Sequence, residues 1–567
     1  MKKFIVAHKE FLITLLLSLI LLWPLFVSPS FTYHDDVQVI RLYEMDKCIK
    51  DGQIPCRWVP DLGGLYGYPL FNYYAPLPYY FGELFYLVTN NLLISVKIMF
   101  ATSFIGSVIF MYLFARRFWG ELGGTISALF YAYAPYHALD FYVRGAMGEM
   151  WGLMAFPLIL WSLVKLAEKQ NILNTLLTIL SLSVLFLSHN LSTMIFFPII
   201  LLFIVVLYYR SRNHKLVFYF IAAFMLSFFL SAFYLLPMAT ERHLVHEETT
   251  TYGYFHYTEH FKGIRKLFLE RMWGWGASVR EVPGGERDGM SFQIGWVHLL
   301  GWALSIVAAW HLWNKKRYAS LLIILFSAIA LVSVFLIHPR SEFIWRLIPP
   351  LEYLQFPWRF LMLIILSTSF LSGSIFTLVK NKKVWWVMVI LVVLFNFSYF
   401  RPERFLSVTD SELLTGAHWD KQIKRSIYDY LPIFAKEPPA ELAESPYEIL
   451  TGEAQISNFM KGTDWINFDI DVKEHTILRL SQYYFPEWIV KIDGKEANID
   501  YENNNLGLMT LIIGEGKHQV EAYLQDTPIR IISNWMTVAG FSGLVLLFLL
   551  QFKQVQNWIK YYVKRIG

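Results

Sequence analysis

The chain has 567 residues, of which 56% are hydrophobic, 18% aromatic and only 16% charged, and its mean hydropathy is +0.41. No water-soluble domain of this size carries such values, so the composition predicts a polytopic α-helical membrane protein. The formal net charge of +5 comes from lysines and arginines spread among loops without one basic face, which argues against nucleic acid as a partner.

Taken in chain order, apolar segments at 11–27, 92–115, 122–139, 149–166, 173–187, 191–208, 217–236, 294–313, 320–337, 360–379, 384–400 and 531–552 predict about twelve spans. Several are shorter than the roughly 20 residues of a full crossing. Basic residues recur at every second boundary: Lys2, Lys3 and Lys9, Arg116 and Arg117, Lys165 and Lys169, Arg210, Arg212 and Lys215, Lys315 to Arg317, Lys380 to Lys383, and Lys560 to Arg565. The positive-inside rule puts these in the cytoplasm, and with them both termini of a protein of the cell membrane. Ser28-Pro29-Ser30 is a poor cleavage site, so the first segment is read as a retained anchor.

Three regions follow: a transmembrane region over 1–400 with long outer loops at 28–91 and 238–293, an extracytoplasmic, mostly β region over 401–530, and a last helix with a basic tail over 531–567. The β region is expected to be a small antiparallel sandwich, because period-two segments alternate with turn signals at Asp493-Gly494, 503–505 and 514–516. The regular turn spacing favours an independent module over a layer packed directly on the outer loops.

The first outer loop carries His34-Asp35-Asp36, then Glu44, Asp46 and Asp61 among tyrosines and prolines. A connection this long, aromatic and acidic has the profile of a loop that packs into a site. Asp36 is also readable as the N-cap of the following helix. Cys48 and Cys56 are the two cysteines; outside the cytoplasm they form a disulfide, and in a reducing compartment they stay thiols. His256 and His260 have the i, i+4 spacing of metal ligands without a third donor, so hydrogen-bonding roles in a lid are the other reading. The run 259–272 has the spacing of an amphipathic juxtamembrane helix.

Arginines and polar pairs at the ends of spans call for partners. Arg144 lies one turn from Asp140 and near Glu149, so it either pairs with Asp140 or faces a phosphate while Glu149 orients a hydroxyl. Arg359 either snorkels beside Trp358 or meets a lipid phosphate. His189 and Asn190 either line a cavity or cap the next helix, Asn190 being the expected cap.

The short N-terminus, the first span ending in an acidic pair, and Ala75-Pro76-Leu77-Pro78-Tyr79-Tyr80 resemble the C-type, polyprenol-dependent glycosyltransferases. Tyr142-Val143-Arg144-Gly145-Ala146, Leu187-Ser188-His189-Asn190-Leu191, Asp288-Gly289-Met290-Ser291-Phe292-Gln293 and Phe356-Pro357-Trp358-Arg359-Phe360 resemble a family of multi-pass bacterial and archaeal proteins labelled "6-pyruvoyl-tetrahydropterin synthase-related". No pterin chemistry follows from these residues. The resemblance implies a hexosyl- or pentosyltransferase that moves a sugar from a polyprenyl phosphate to a glycan, lipid or protein acceptor. It implies Asp35 or Asp36 as general base or as ligand of a divalent metal (Mg or Mn), and Arg144 and Arg359 at the donor phosphate. Glu149, His189, Asn190, His256 and His260 would orient substrate. A lipid-linked sugar transporter or flippase, or a non-catalytic assembly protein, is the alternative.

Overall fold

The computed structural model describes residues 9–280, 282, 285–425 and 430–566; Lys2 and Lys3 lie outside them. Eight helices among these are long and apolar enough to cross a membrane: Leu92–Ala132, Met147–Glu168, Asn190–Ser211, His214–Thr240, Arg317–Ile337, Pro357–Thr377, Lys382–Tyr399 and Pro528–Lys553. Ile172–Ser188 and Trp296–Leu312 are shorter apolar helices. The chain is thus a multi-pass membrane protein, with fewer full-length spans than the twelve expected. The expected segments at 92–115 and 122–139 run as one 41-residue helix, kinked where Gly120 adopts φ +74, ψ −172. That helix stops at Ala132, and Pro135–Ala138 and a π-helical turn, Leu139–Arg144, replace the rest. The first segment is a 12-residue helix, Lys9–Ile20, followed by the turn Pro24–Val27.

The long loops gather at one end of the bundle. The helix Gln38–Asp51 turns Gln38, Arg41, Met45 and Cys48 inward and ends at Gly52, whose φ of +85 makes the left-handed C-cap. Cys48, in the last turns of this helix, is disulfide-bonded to Cys56 just beyond it. Val37 is the N-cap and makes no side-chain cap bond, so Asp36 is not the cap. The expected amphipathic helix at 259–272 shrinks to five residues, Ile264–Phe268, preceded by the 3-10 turn Tyr257–His260.

Segment 401–425 ties the bundle to the first loop. Ser30 and Phe31 pair antiparallel with Leu406 and Phe405. Asp410 accepts from the Leu92 N–H at 2.6 Å and the Leu93 N–H at 3.1 Å, placing an anion on the positive end of the 41-residue helix.

The C-terminal sheet region has two antiparallel sheets. One orders Ala454–Lys461, Trp465–Val472, Gly516–Leu524, Trp488–Ile492 and Lys495–Ala497; the other orders Tyr447–Thr451, Thr476–Tyr483 and Leu508–Ile513. Burial alternates strictly along Trp465–Val472, so Ile466, Phe468, Ile470 and Val472 face the core. That core also contains Trp58, Tyr73 and Val245 from the loops. Asp51 fastens the contact, accepting from the Thr463 N–H at 2.6 Å, the Thr463 hydroxyl at 2.7 Å and the Trp465 indole at 3.1 Å. The sheets are therefore packed directly on the first loop.

Candidate active site

Backbone bonds fix the acidic loop. The His34 N–H donates to Val143 O and the Asp35 N–H to Arg144 O, both at 2.9 Å. One turn on, the Gln38 amide donates to Gly145 O at 2.9 Å and its oxygen accepts from the Tyr79 hydroxyl at 2.6 Å. Gly145 is required twice over: its φ is +64, and a Cβ there would lie 2.3 Å from the Tyr33 ring. Asp35 is thereby registered against the segment that carries Arg144.

Arg144 and Arg359 share a buried acid. The Arg144 guanidinium uses Nη1 for Asp140 and, at 2.8 Å, for Glu149 Oε2; Arg359 Nε stands 3.4 Å from the same oxygen. The Tyr136 hydroxyl donates to the other Glu149 oxygen. Asp140 and Glu149 are essentially inaccessible and both arginines nearly so, a setting in which an unpartnered charge is severely penalised. Each guanidinium also lies over an aromatic face, Arg144 at 4.7 Å from Trp358 and Arg359 at 4.8 Å from Phe356. The two carboxylates hold Arg144 by a single nitrogen, Nη1; among the described residues Nε and Nη2 make no hydrogen bond. Guanidinium edges of this kind suit a phosphate or carboxylate.

These groups line a cavity of about 800 Å³. Asp35, Arg144, Glu149, His189, Asn190 and Arg359 all contribute to its wall, from four separate stretches of chain. Asp36 does not; its carboxylate pairs with Lys421 at 3.2 Å. His189, not Asn190, caps the Asn190–Ser211 helix, its Nδ1 accepting from the Ser192 N–H at 3.1 Å. Asn190 instead donates to Tyr73 O at 3.3 Å and accepts from the Tyr234 hydroxyl. The hairpin sits close to the Met147–Glu168 helix: a Cβ at Gly148 would lie 2.7 Å from Ser188 O.

His256 and His260 lie outside this cavity and do not converge. His256 is extended and Tyr257–His260 is a 3-10 turn, so i, i+4 spacing does not put the two on one α-helical face. His256 bonds the Thr258 hydroxyl at 2.7 Å, and both His260 nitrogens are engaged, by Ser278 at 2.9 Å and by Tyr254 O. Burial pulls the His260 pKa down to about 4 against the opposing backbone bond from Tyr254. Among the described residues, no group of three or more His, Cys, Asp or Glu side chains is placed to hold a metal ion. Asp36, the second carboxylate of the pair, contacts Lys421 instead of the cavity.

Arg41 is a cavity residue that sequence reasoning passed over. It is almost wholly buried and lies 4.1 Å over the Tyr74 ring. Its signal was the i, i+3, i+7 set Gln38, Arg41 and Met45, which places a cation on the inward face just after the acidic pair. Tyr254, Phe255, Tyr353 and Tyr430 add an aromatic rim.

The family model for dolichyl-phosphate-mannose-protein mannosyltransferases matches residues 74–234. That stretch holds Arg144, Glu149, His189 and Asn190, while Asp35 lies before it and Arg359 after it. An uncharacterized protein of Lactococcus lactis subsp. cremoris (strain MG1363) is 22% identical over 180 residues, 31% of this chain. The matched part is 29% of that protein's length. The mannosyltransferase match, on the segment that carries Arg144, Glu149, His189 and Asn190, supports the likeness of this chain to membrane glycosyltransferases of the C type.

Proposed function

We propose that the protein transfers a sugar from a polyprenyl-phosphate donor to an extracytoplasmic acceptor, in the manner of the multi-pass families it resembles. The observation that carries this reading is the meeting of a half-exposed carboxylate, Asp35, with the Arg144 and Arg359 guanidiniums in one cavity at the loop end of a helical bundle. Asp35 takes the proton of the acceptor hydroxyl as that oxygen attacks the anomeric carbon. The bond from anomeric carbon to phosphate oxygen breaks, and the polyprenyl phosphate leaves with its negative charge held by Arg144 and Arg359. Glu149 and Asp140 fix the two arginines, and Tyr136 completes the Glu149 carboxylate.

On this reading the loop end faces the outside of the cell membrane, and the sheet region, packed on the acidic loop, contacts the acceptor or braces the loop. The test is binding of undecaprenyl phosphate to the protein in phosphatidylcholine nanodiscs. Arg144→Lys, which keeps the charge but loses the planar fork, is expected to weaken binding by about 10-fold to 100-fold, the worth of one charge-assisted hydrogen bond. Equal affinity in wild type and variant contradicts the phosphate role.

A further inference from the structure

Gln355 stands at an unusual point of the backbone. Its φ is +60 and ψ −50, and across it the Phe356 N–H donates to Leu354 O. This is the γ-turn of positive φ, the rarer and strained hand, on a residue with a side chain. Such strain persists where surrounding contacts over-determine the conformation, and it concentrates at ligand clamps.

The contacts here are specific. Arg359 Nη1 donates to Leu354 O at 2.6 Å and to Gln355 Oε1 at 3.1 Å, so the turn presents two acceptors to one nitrogen. Nε stands 3.4 Å from Glu149 as an ion pair, and among the described residues Nη1 carries the hydrogen bonds of the guanidinium. On its other side, the Gln355 amide donates to Thr250 O at 2.8 Å. Thr250 ends the short helix Glu247–Thr250, which leads into the exposed rim residues Tyr254 and Phe255. A carboxamide suits the position because it accepts from a guanidinium and donates to a carbonyl at once; glutamate lacks the donor and lysine the acceptor.

We infer that Gln355 is a positioning residue that ties Arg359 to the 247–255 rim, so that the guanidinium edge and the aromatic rim are held over the cavity as one unit. The inference uses the proposed donor site only for the nature of the anion that Arg359 meets; the tie itself is independent of it.

The test is a hydrogen-exchange cycle on the full-length protein in nanodiscs, read at backbone amides 249–255. Gln355→Gly suits the left-handed backbone and removes the bridge. Gln355→Glu keeps an acceptor for Arg359 and loses the donor to Thr250. Both are expected to speed exchange about tenfold, as for one lost hydrogen bond. Arg359→Lys is expected to loosen the same amides, and the Gln355→Gly/Arg359→Lys double variant no further, the non-additivity that marks a shared contact. A general loss of stability would not produce that pattern. Exchange at wild-type rates in Gln355→Gly and Gln355→Glu, or additive effects in the double variant, overturns the inference. Should Arg359→Lys not fold, Gln355→Glu decides alone by the same readout. Should wild type not bind undecaprenyl phosphate, the donor reading falls, and the exchange cycle still settles the role of Gln355.

Discussion

Asp35 and Asp36 are neighbours with different surroundings. Asp35 lines the charged cavity, whereas Asp36 points to Lys421 on the 401–425 segment. A general base is worth about 10² to 10⁴ in rate, so Asp35→Asn should reduce sugar transfer by that range while Asp36→Asn, which weakens a surface ion pair, should cost less than about tenfold. Glu149 serves two arginines at once, and removing its charge leaves both guanidiniums buried with weaker partners. Glu149→Gln should therefore lower stability by about 3–5 kcal/mol, the cost of breaking a buried pair, measured as a drop in the thermal midpoint in detergent. The ionisable residues near span ends were legible in the sequence because hydrocarbon makes such groups expensive. Their partners were not, since Arg144, Glu149 and Arg359 meet only through tertiary packing.

At the scale of elements, two joints place the acid. The first is Gly145, whose positive φ and contact with Tyr33 leave no room for a side chain. Gly145→Ala should shift the loop bearing Asp35 and reduce turnover by about 10²-fold, the effect of a displacement near 1 Å, with the apolar bundle still folded by circular dichroism. The second is the helix Gln38–Asp51. Its Glu44 is fully buried beside the Asp61 carboxylate. Burial, then the Asp61 charge, push its pKa well above the ordinary 4.5, with Lys47 opposing. A folded pKa raised above the unfolded one contributes stability that is complete below pH 4.5 and is lost as pH rises through the folded pKa. Glu44→Gln should accordingly flatten that part of the stability profile and raise the thermal midpoint at neutral pH. The sequence left Asp36 open as the N-cap of this helix, and folding gives that position to Val37. His256 and His260 make hydrogen bonds, the second of the two readings left open for them; a spacing of four aligns metal ligands only on an α-helix, and Tyr257–His260 is a 3-10 turn.

At the scale of the whole molecule, the helical bundle and the sheets are joined through the first loop. Trp58, Tyr73 and Val245 sit in the sheet core, and Asp51 binds Thr463 and Trp465. Leu480→Ala, deep in that core, should cost about 2–5 kcal/mol and loosen the acidic loop with the sheets, seen as one transition by indole fluorescence and by proteolysis of the loop. Composition made the membrane class legible, and period-two alternation made the sheets legible, because both are summed over many residues. The number of full spans was not, since short helices and the fused, kinked Leu92–Ala132 helix satisfy the same apolar pattern in different ways. Nor was the cavity, which four distant stretches close only when folded.

The most direct measurement of the central claim is transfer of radiolabelled sugar from polyprenyl-phosphate donors by the full-length protein in lipid, comparing wild type with Asp35→Asn and Asp36→Asn. The account predicts transfer by wild type and by Asp36→Asn, and loss of transfer in a folded Asp35→Asn that still binds undecaprenyl phosphate. Turnover at the wild-type rate in Asp35→Asn would contradict it.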